Sequence, residues 1–161
     1  MKAILKNETK VITGKVRLSY ANLFEPRSIN GSEPKYSVSL IIPKDDTQQI
    51  EVIKQAIENA KERDKHKWGG KIPANLKLPL RDGDEERPED EAYANSYFIN
   101  ANSTRPPAVV GLYKDAATGK AIRLTEEEVY SGCYARVSIN FYGFNAAGNK
   151  GIACGLGNVQ K

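Results

Sequence analysis

The run from Cys133 to Phe144 constrains the fold and the surface of this chain more than any other part of its sequence. Successive side chains of a strand point to opposite faces, so the run divides into two surfaces. One surface is apolar and predicts a core: Cys133, Ala135, Val137, Ile139 and Phe141. The other combines aromatic rings with an arginine: Tyr134, Arg136, Ser138, Asn140, Tyr142 and Phe144. Flat rings beside a cation suit the stacking of unpaired bases and the binding of phosphates, whereas a two-sided core or a dimer contact is the alternative.

The size and composition of the chain favour one folded domain over residues 1–161. With 161 residues, 40% hydrophobic and 27% charged, it is large enough to bury a core without disulfides or a structural metal. No apolar run approaches the roughly 18 residues of a membrane span, and the N-terminal sequence does not read as a signal peptide. We therefore expect a cytoplasmic protein that has no membrane contact and needs no cofactor.

Cysteine and histidine usage excludes several kinds of site. Cys133 and Cys154 lie in apolar, strand-like runs, which predicts reduced thiols in the core. His66 is the only histidine and there is no Cys-x-x-Cys pair, so we expect no zinc site. A catalytic Ser–His or Cys–His pair would depend on His66, which lies in a basic loop. The sequence also lacks a Walker-type glycine loop.

Charge is distributed unevenly along the chain. Segment 81–91 (RDGDEERPEDE) has seven acidic residues and two arginines and carries −5, so the remainder must carry +9 to give the total of +4. A basic body attracts polyanions such as nucleic acids. The acidic run contains the carboxylates that magnesium prefers, which makes a metal-dependent nuclease the one enzymatic alternative. Two-metal sites gather carboxylates from separate rigid elements rather than from one loop, so we predict a protein that is not an enzyme.

Alternation of apolar and polar residues predicts about seven strands. They lie at 15–20, 35–42, 93–101, 107–113, 121–124, 133–144 and 150–159. In the first strand, Val16, Leu18 and Tyr20 share one face, and Lys15, Arg17 and Ser19 share the other. Segments 21–33 and 65–91 are rich in turn residues or lack periodicity, and they predict loops, the second unusually long.

One long helix is predicted from about Thr47 to Asp64. Asp46 is placed to cap it, and Gln49 follows three residues later in a pattern typical of a capping box. An apolar stripe recurs at helical spacing, at Ile50, Ile53, Ile57 and Ala60. The other faces are largely charged, so we expect the helix to lie on the outside of a sheet. Thr125, followed by three glutamates, predicts a further capped helical turn.

These elements define a mainly β fold class. Small β-rich domains avoid exposed sheet edges by closing into barrels or sandwiches. We predict a partly open Greek-key barrel of the oligonucleotide-binding (OB) type, with one long helix and long loops. An immunoglobulin-like sandwich is the alternative, but a long helix between strands fits it poorly.

Binding of a single nucleic-acid strand needs a positive groove and stacking rings, but no finely placed acid–base pair. The residues that we predict to contact it are Lys15, Arg17, Trp68, Arg136, Tyr134, Tyr142 and Phe144. Trp68, beside Gly69 and Gly70, is either a mobile stacking ring or a lid over the helix. Tyr97 and Phe98 are further candidate rings, of which one must point inward. Further candidate phosphate partners are Lys67, Lys71, Arg105 and Lys114.

Four separated strings of the sequence resemble a known family. They are Gly14–Phe24 (GKVRLSYANLF), Tyr36–Lys44 (YSVSLIIPK), Leu80–Asp84 (LRDGD) and Val129–Arg136 (VYSGCYAR). Their order and spacing resemble a bacteriophage and prophage family of single-stranded-DNA-binding proteins, formerly a domain of unknown function. The resemblance covers about residues 10–160 and implies an OB fold akin to that of the replication proteins of short-tailed phages.

The resemblance implies coating of exposed DNA without sequence preference and without catalysis, in phage replication, recombination or repair. It also implies a homodimer, phage replication or recombination proteins as partners, and the host cytoplasm as location. Members of this family often end in an acidic tail that competes for the DNA groove, whereas this sequence closes with Gly157–Lys161. We therefore hypothesise that the acidic loop 82–91 takes the competing role.

The main rival is a non-catalytic protein-interaction or virion module in which the same aromatic face buries a protein partner. The two interpretations differ in their response to salt. Phosphate binding weakens steeply as salt rises, whereas an apolar protein contact changes little.

Overall fold

Hydrogen bonding between the two C-terminal strands organises the fold in a computed structural model, which describes residues 2–28, 31, 33–146 and 148–161. The helices are α1 (Thr47–Asp64) and α2 (Gly83–Glu86), with 3-10 turns at Lys65–Trp68 and Glu91–Tyr93. Ten strands form one sheet: β1 (Ile4–Leu5), β2 (Lys10–Ile12), β3 (Val16–Arg27), β4 (Lys35–Pro43), β5 (Arg81–Asp82), β6 (Ser96–Ser103), β7 (Val109–Lys114), β8 (Ala121–Arg123), β9 (Tyr134–Ala146) and β10 (Asn149–Gln160).

Five of these strands close into a barrel in the order β3-β4-β6-β10-β9. The ring closes because β9 pairs with β10 along one edge and with β3 along the other. All contacts in the ring are antiparallel except β6 with β10, which are parallel and paired only at Asn102 and Gly155. The gap left there is filled by β5, which pairs with β6, and by a bridge from Lys77 to Gly151. The predicted OB-like, partly open barrel is thereby confirmed.

The long helix covers one end of the barrel core. Its bounds are those predicted, and the Asp46 carboxylate accepts a hydrogen bond from the Gln49 backbone N–H (3.4 Å) and another from the Gln49 amide (2.9 Å). The predicted apolar stripe is buried: Ile50, Ile53, Ile57 and Ala60. Cys133 and Cys154 are unpaired and buried, as predicted, and burial raises the pKa of the Cys154 thiol.

The structure differs from the sequence prediction at three places. Strand β3 does not end near Tyr20 but continues to Arg27, through most of the predicted loop 21–33. Three residues of that loop, Ile29, Asn30 and Ser32, lie outside the described residues. An N-terminal hairpin of β1 and β2, which the sequence analysis missed, adds to β9. The predicted loop 65–91 is in part regular structure, since it contains the 3-10 turn at Lys65–Trp68, β5 and α2. The segment after Thr125, by contrast, forms the predicted single turn, in which the N–H groups of Glu128 and Val129 donate to Thr125 O (3.0 and 3.1 Å).

Residue Asp64 fastens the end of α1 to the barrel. Its side chain, 6% exposed, accepts two hydrogen bonds from the neighbouring Arg63 guanidinium (3.0 Å each) and one from the Gly143 backbone N–H in β9 (2.7 Å). The Arg63 hydrogen bond holds the pKa of the Asp64 carboxyl at about 2, below its ordinary 3.8, and outweighs the opposing effect of burial. Charged hydrogen bonds of this kind are among the stronger ones in proteins.

The Asp64 carboxylate predicts a specific pH dependence of stability. Because its pKa is lowered by folding, its contribution is present above pH 4 and is lost as the pH falls toward 2, a loss of about 2 kcal/mol. In Asp64→Asn this step disappears, and the free energy of unfolding at pH 7 falls by roughly 1–3 kcal/mol. Urea unfolding between pH 2 and pH 7 measures both. Glu51→Gln, at an exposed residue of the same helix, is the control. If Asp64→Asn loses as much stability between pH 4 and pH 2 as the unmodified protein, Asp64 is not the group responsible for that loss.

Candidate nucleic-acid interface

The outward face of β9 divides into two separate ends. The predicted alternation is present: the apolar set is buried, and the aromatic set is exposed or half-buried. Tyr134 and Tyr142 are, however, about 26 Å apart along an extended strand at 3.3 Å per residue. The predicted contact residues on this strand therefore form two groups rather than one patch.

The first group lies where β9 meets β3. The Lys15 Nζ lies 4.8 Å from the ring centroid of Tyr134, which is 50% exposed. Arg17, paired with Tyr134 across the strands, donates a hydrogen bond to Gly132 O (3.3 Å). Arg136 is occupied by the N-terminal segment, because its guanidinium donates to Thr13 O (2.9 Å) and Lys2 O (3.1 Å).

The second group contains Tyr142 and Phe144, both half-buried, but Trp68 does not join them as an exposed ring. The Trp68 side chain is 7% exposed, and its indole N–H donates to Phe144 O (2.9 Å). The 3-10 turn after α1 places it beneath Gly143, where a Cβ would lie 2.9 Å from the indole Cζ2. This burial against β9 does not fit a mobile stacking ring, and it corrects the assignment of Trp68 to a binding surface.

A large groove lies on a face that the sequence analysis did not predict as a site. It has a volume of about 620 Å³ and crosses the outer face of β3, β4 and β6. Its floor is built from cross-strand pairs of polar residues, Ser37 with Asn102 and Ser39 with Asn100. The charged side chains along it are three cations and one carboxylate: Arg27, Lys35, Arg87 and Glu33. A positive rim over a neutral polar floor suits a polyanion.

Tyr20 stands at one side of this groove because β3 is irregular there. The register of β3 on β4 shifts between Ser19 and Asn22, and Tyr20 has a φ of 47°. The sequence predicted that Tyr20 shares a face with Val16 and Leu18. The irregularity instead turns its ring away from that face and leaves the residue 57% exposed. A non-glycine residue in the left-handed region costs about 1 kcal/mol, and such strain is concentrated at functional sites.

Arg87 lies against three aromatic rings at the same side of the groove. Its guanidinium carbon is 5.1 Å from the ring centroid of Tyr20, 4.9 Å from Tyr93 and 5.0 Å from Phe98. Its Nε is buried without a hydrogen-bond partner. No carboxylate in the described part of the chain forms an ion pair with it. Sequence reasoning passed over Arg87 because it lies inside the acidic run.

The acidic segment, residues 81–93, is folded against the barrel and is not a free loop. Lys44 Nζ bonds Asp82 and Asp84 (2.9 Å each), and these hydrogen bonds lower the pKa of both carboxyls and raise that of Lys44. Arg81 Nε donates to Glu86 (2.9 Å). Tyr93 is fully buried, packs edge-on against Phe98 and donates its hydroxyl to Ser39 Oγ (3.0 Å). If segment 82–91 competes for the groove, as hypothesised, it does so as a folded segment.

Beyond the groove, paired residues on the same outward face lead across β10 toward Tyr142. Asn102 pairs with Gly155, which pairs in turn with Asn140 on β9. Gly155 has no side chain, and the Tyr142 Cε1 lies 3.6 Å from the position that its Cβ would occupy. Three strand spacings separate β4 from β9, or about 14 Å. We call this path the cross-strand groove: Tyr20 and Arg87, then Ser37, Ser39, Asn100 and Asn102, then Gly155 and Tyr142.

The other candidate rings, and Lys67, do not form a further binding surface. Phe98 is fully buried and Tyr97 packs against the main core. Lys67 Nζ donates to Gly143 O (2.8 Å). Within the described residues, no three His, Cys, Asp or Glu side chains are grouped to hold a metal ion. No helix in the described part of the chain combines the length and apolar composition needed to cross a membrane.

Comparison with known proteins agrees with this geometry. Residues 9–161 match the model of the family described as Enterobacter phage Enc34, ssDNA-binding protein. The chain belongs to this family. It is 31% identical to protein p50 of Acyrthosiphon pisum secondary endosymbiont phage 1, over 94% of this chain and 82% of that protein.

Solved structures show the same fold. The single-stranded DNA-binding protein of bacteriophage Enc34 in complex with ssDNA superposes with a TM-score of 0.83 at 27% identity, over 99% of this chain and 89% of that chain. The single-stranded DNA binding protein gp2.5 of bacteriophage T7 superposes with a TM-score of 0.56 at 15% identity, over 94% and 90% of the two chains. The T7 likeness is one of fold alone.

The glycines of β10 predict a contrast in stability. A Cβ at Gly157 would clash with Ser138 Oγ and lie 2.8 Å from Ser138 O, whereas one at Gly155 would make only ordinary contacts, the nearest at 3.5 Å. Gly157→Ala should therefore lower the free energy of unfolding by roughly 1–3 kcal/mol, and Gly155→Ala should change it by less than about 1 kcal/mol. Urea denaturation compares them; equal stability of the two variants would show that β9 and β10 are not packed this closely.

Proposed function

We propose that this chain binds single-stranded DNA, without reading its sequence, in the cross-strand groove. The observation that carries the proposal is the groove itself, which has a ring at each end, cations along its rim and a floor without large side chains. Proteins that bind single strands combine a positive groove with aromatic stacking platforms. Membership of a family described as ssDNA-binding, and the likeness to the Enc34 protein bound to ssDNA, support the same ligand.

Each part of the groove has a role in this proposal. One base stacks on the open face of Tyr20 and another on Tyr142, and Arg27 and Lys35 lie along the path of the phosphates. The amides and hydroxyls of the floor suit any base, because a carboxamide and a hydroxyl each offer both a hydrogen-bond donor and an acceptor. Lys15, Arg17 and Tyr134 form a flanking contact for a longer strand, to which Arg136 contributes mainly by fixing the N-terminal segment.

The proposed role is that of a non-catalytic coat on exposed strands during phage replication, recombination or repair. Residues 1–161 act as one domain, and the protein works as a homodimer alongside replication or recombination proteins. The folded acidic segment supports the absence of nuclease activity, since Asp82 and Asp84 are bound by Lys44. Incubation with magnesium should leave a labelled oligonucleotide intact.

A salt series tests the ligand. Fluorescence anisotropy with labelled single-stranded and duplex oligonucleotides should show tighter binding of the single strand. With three cations on phosphates, affinity should fall about 20-fold between 50 and 200 mM salt, from a slope near −0.7 per phosphate. Affinity that barely changes with salt would favour the protein-interaction module instead.

Two substitutions test the rings. Tyr142→Ala and Tyr20→Gly should each weaken single-strand binding by roughly 1–3 kcal/mol, the usual contribution of base stacking. Glycine tolerates the left-handed backbone at Tyr20, so Tyr20→Gly should keep its thermal stability while losing affinity. Tyr113→Ala, at a ring 80% exposed on β7 and outside the groove, is the matched control. If either groove variant binds like this control, that ring is not a stacking platform; if Tyr142→Ala loses its circular dichroism spectrum, Tyr142 belongs to the core.

A further inference from the structure

We infer that Arg87 is the principal phosphate anchor of the cross-strand groove, and that the acidic segment serves to hold it there. This inference rests on the proposed binding of single-stranded DNA. It adds a specific phosphate contact, that of Arg87, and the dependence of this contact on the acidic segment. On this account the most acidic part of the chain supports binding of a polyanion. Loosening it weakens binding even where the loosening removes a negative charge.

Aromatic rings, and not carboxylates, hold the Arg87 guanidinium at the side of the groove. Rings of Tyr20, Tyr93 and Phe98 lie about its guanidinium at 4.9–5.1 Å, so its position is set by contacts that use none of its hydrogen-bond donors. Its Nε is buried without an acceptor. Because the Nε has almost no accessible surface, a ligand in the groove cannot reach it, and the donors left for a phosphate are the two Nη groups of this half-buried side chain, which lines the groove. The planar fork of arginine matches two oxygens of one phosphate, and contact with rings holds that fork in a fixed plane.

Tyr20 links this anchor to the proposed stacking platform. The guanidinium of Arg87 lies over the Tyr20 ring, and that ring is still 57% exposed. A base on the open side of the ring and its phosphate at Arg87 would therefore belong to one nucleotide unit. The ring of Tyr20 and the guanidinium of Arg87 meet because the backbone at Tyr20 is left-handed and because Arg87 lies where the acidic segment passes this ring.

Three of the seven carboxylates of the acidic segment are paired with cations other than Arg87, which reduces the repulsion that the segment adds at this point. Asp82 and Asp84 share Lys44, and Glu86 pairs with Arg81. Asp84 also accepts a hydrogen bond from the Asn95 backbone N–H (3.0 Å), which ties the start of the segment to the residue before β6. These contacts and the burial of Tyr93 fix both ends of the stretch that carries Arg87.

Two variants of Arg87 test the anchor. Arg87→Met keeps the apolar stem and should weaken single-strand binding at least tenfold at 100 mM salt, with a salt slope shallower by about 0.7. Arg87→Lys keeps the charge but lacks the fork, and should restore the slope while leaving affinity at least threefold weaker than in the unmodified protein. Lys120→Met, which removes one exposed charge just before β8, should stay within twofold.

The outcomes separate this inference from the proposed function. Salt-dependent binding by the unmodified protein tests the function alone, and its absence would remove both. If that binding is present but Arg87→Met matches Lys120→Met in affinity and slope, the function stands and the anchor is wrong. Circular dichroism and thermal melts of each variant establish that it is folded; a folded Arg87→Met with weaker affinity but an unchanged slope would mark Arg87 as a packing residue and also overturn the anchor.

A second pair of variants tests the role of the acidic segment. Asp84→Asn and Glu85→Gln each remove one negative charge from adjacent positions, but only Asp84 is bound to Lys44 and Asn95. We expect Asp84→Asn to weaken binding at least threefold and to speed hydrogen exchange over 81–93, and Glu85→Gln to leave affinity unchanged or slightly tighter. If both variants tighten binding equally, or Asp84→Asn leaves it unchanged, the segment does not hold the anchor in place, and equal tightening would mark it as a simple electrostatic competitor.

Discussion

The rest of the structure depends on β9 forming backbone hydrogen bonds along both of its edges. Pairing with β10 on one side and β3 on the other closes the barrel and removes two sheet edges that would otherwise be exposed. Closure also curves the sheet, so that polar residues of β4 and β6 and the glycines of β10 form one continuous outer path. The bond from Gly143 N–H to Asp64 then fastens the long helix to the same strand.

The proposed site depends on irregularities of this scaffold rather than on its regular strands. A register shift in β3 turns Tyr20 outward, and a sparse contact between β6 and β10 leaves room for the segment that carries Arg87. The two irregularities bring a ring and a cation to within 5.1 Å of each other from distant parts of the sequence. The glycine at 155 keeps the path open toward Tyr142. A cross-strand path of this kind binds a chain of stacked bases without a site for any one of them.

The features that the sequence predicted correctly are those that depend on the periodicity of apolar residues. The helix bounds, the Asp46 cap, the two faces of β9 and the barrel class all follow from spacing and turn residues. The sequence did not predict the course of β3 beyond Tyr20, because a register shift leaves no periodic signal. Nor did it predict Arg87 in the groove, since ion pairs such as Lys44 with Asp82 join residues far apart in the chain. Trp68 was ambiguous because its neighbours in space, not in sequence, decide its burial.

Backbone amide shifts in nuclear magnetic resonance test the location of the proposed interface most directly. A short thymidine oligonucleotide, added at low salt, should shift the amides of Tyr20, Ser39, Asn100 and Gly155 together, along one path across four strands. Shifts confined to the ends of β7 and β9 around Tyr113 and Tyr134, with the groove floor unchanged, would contradict the account.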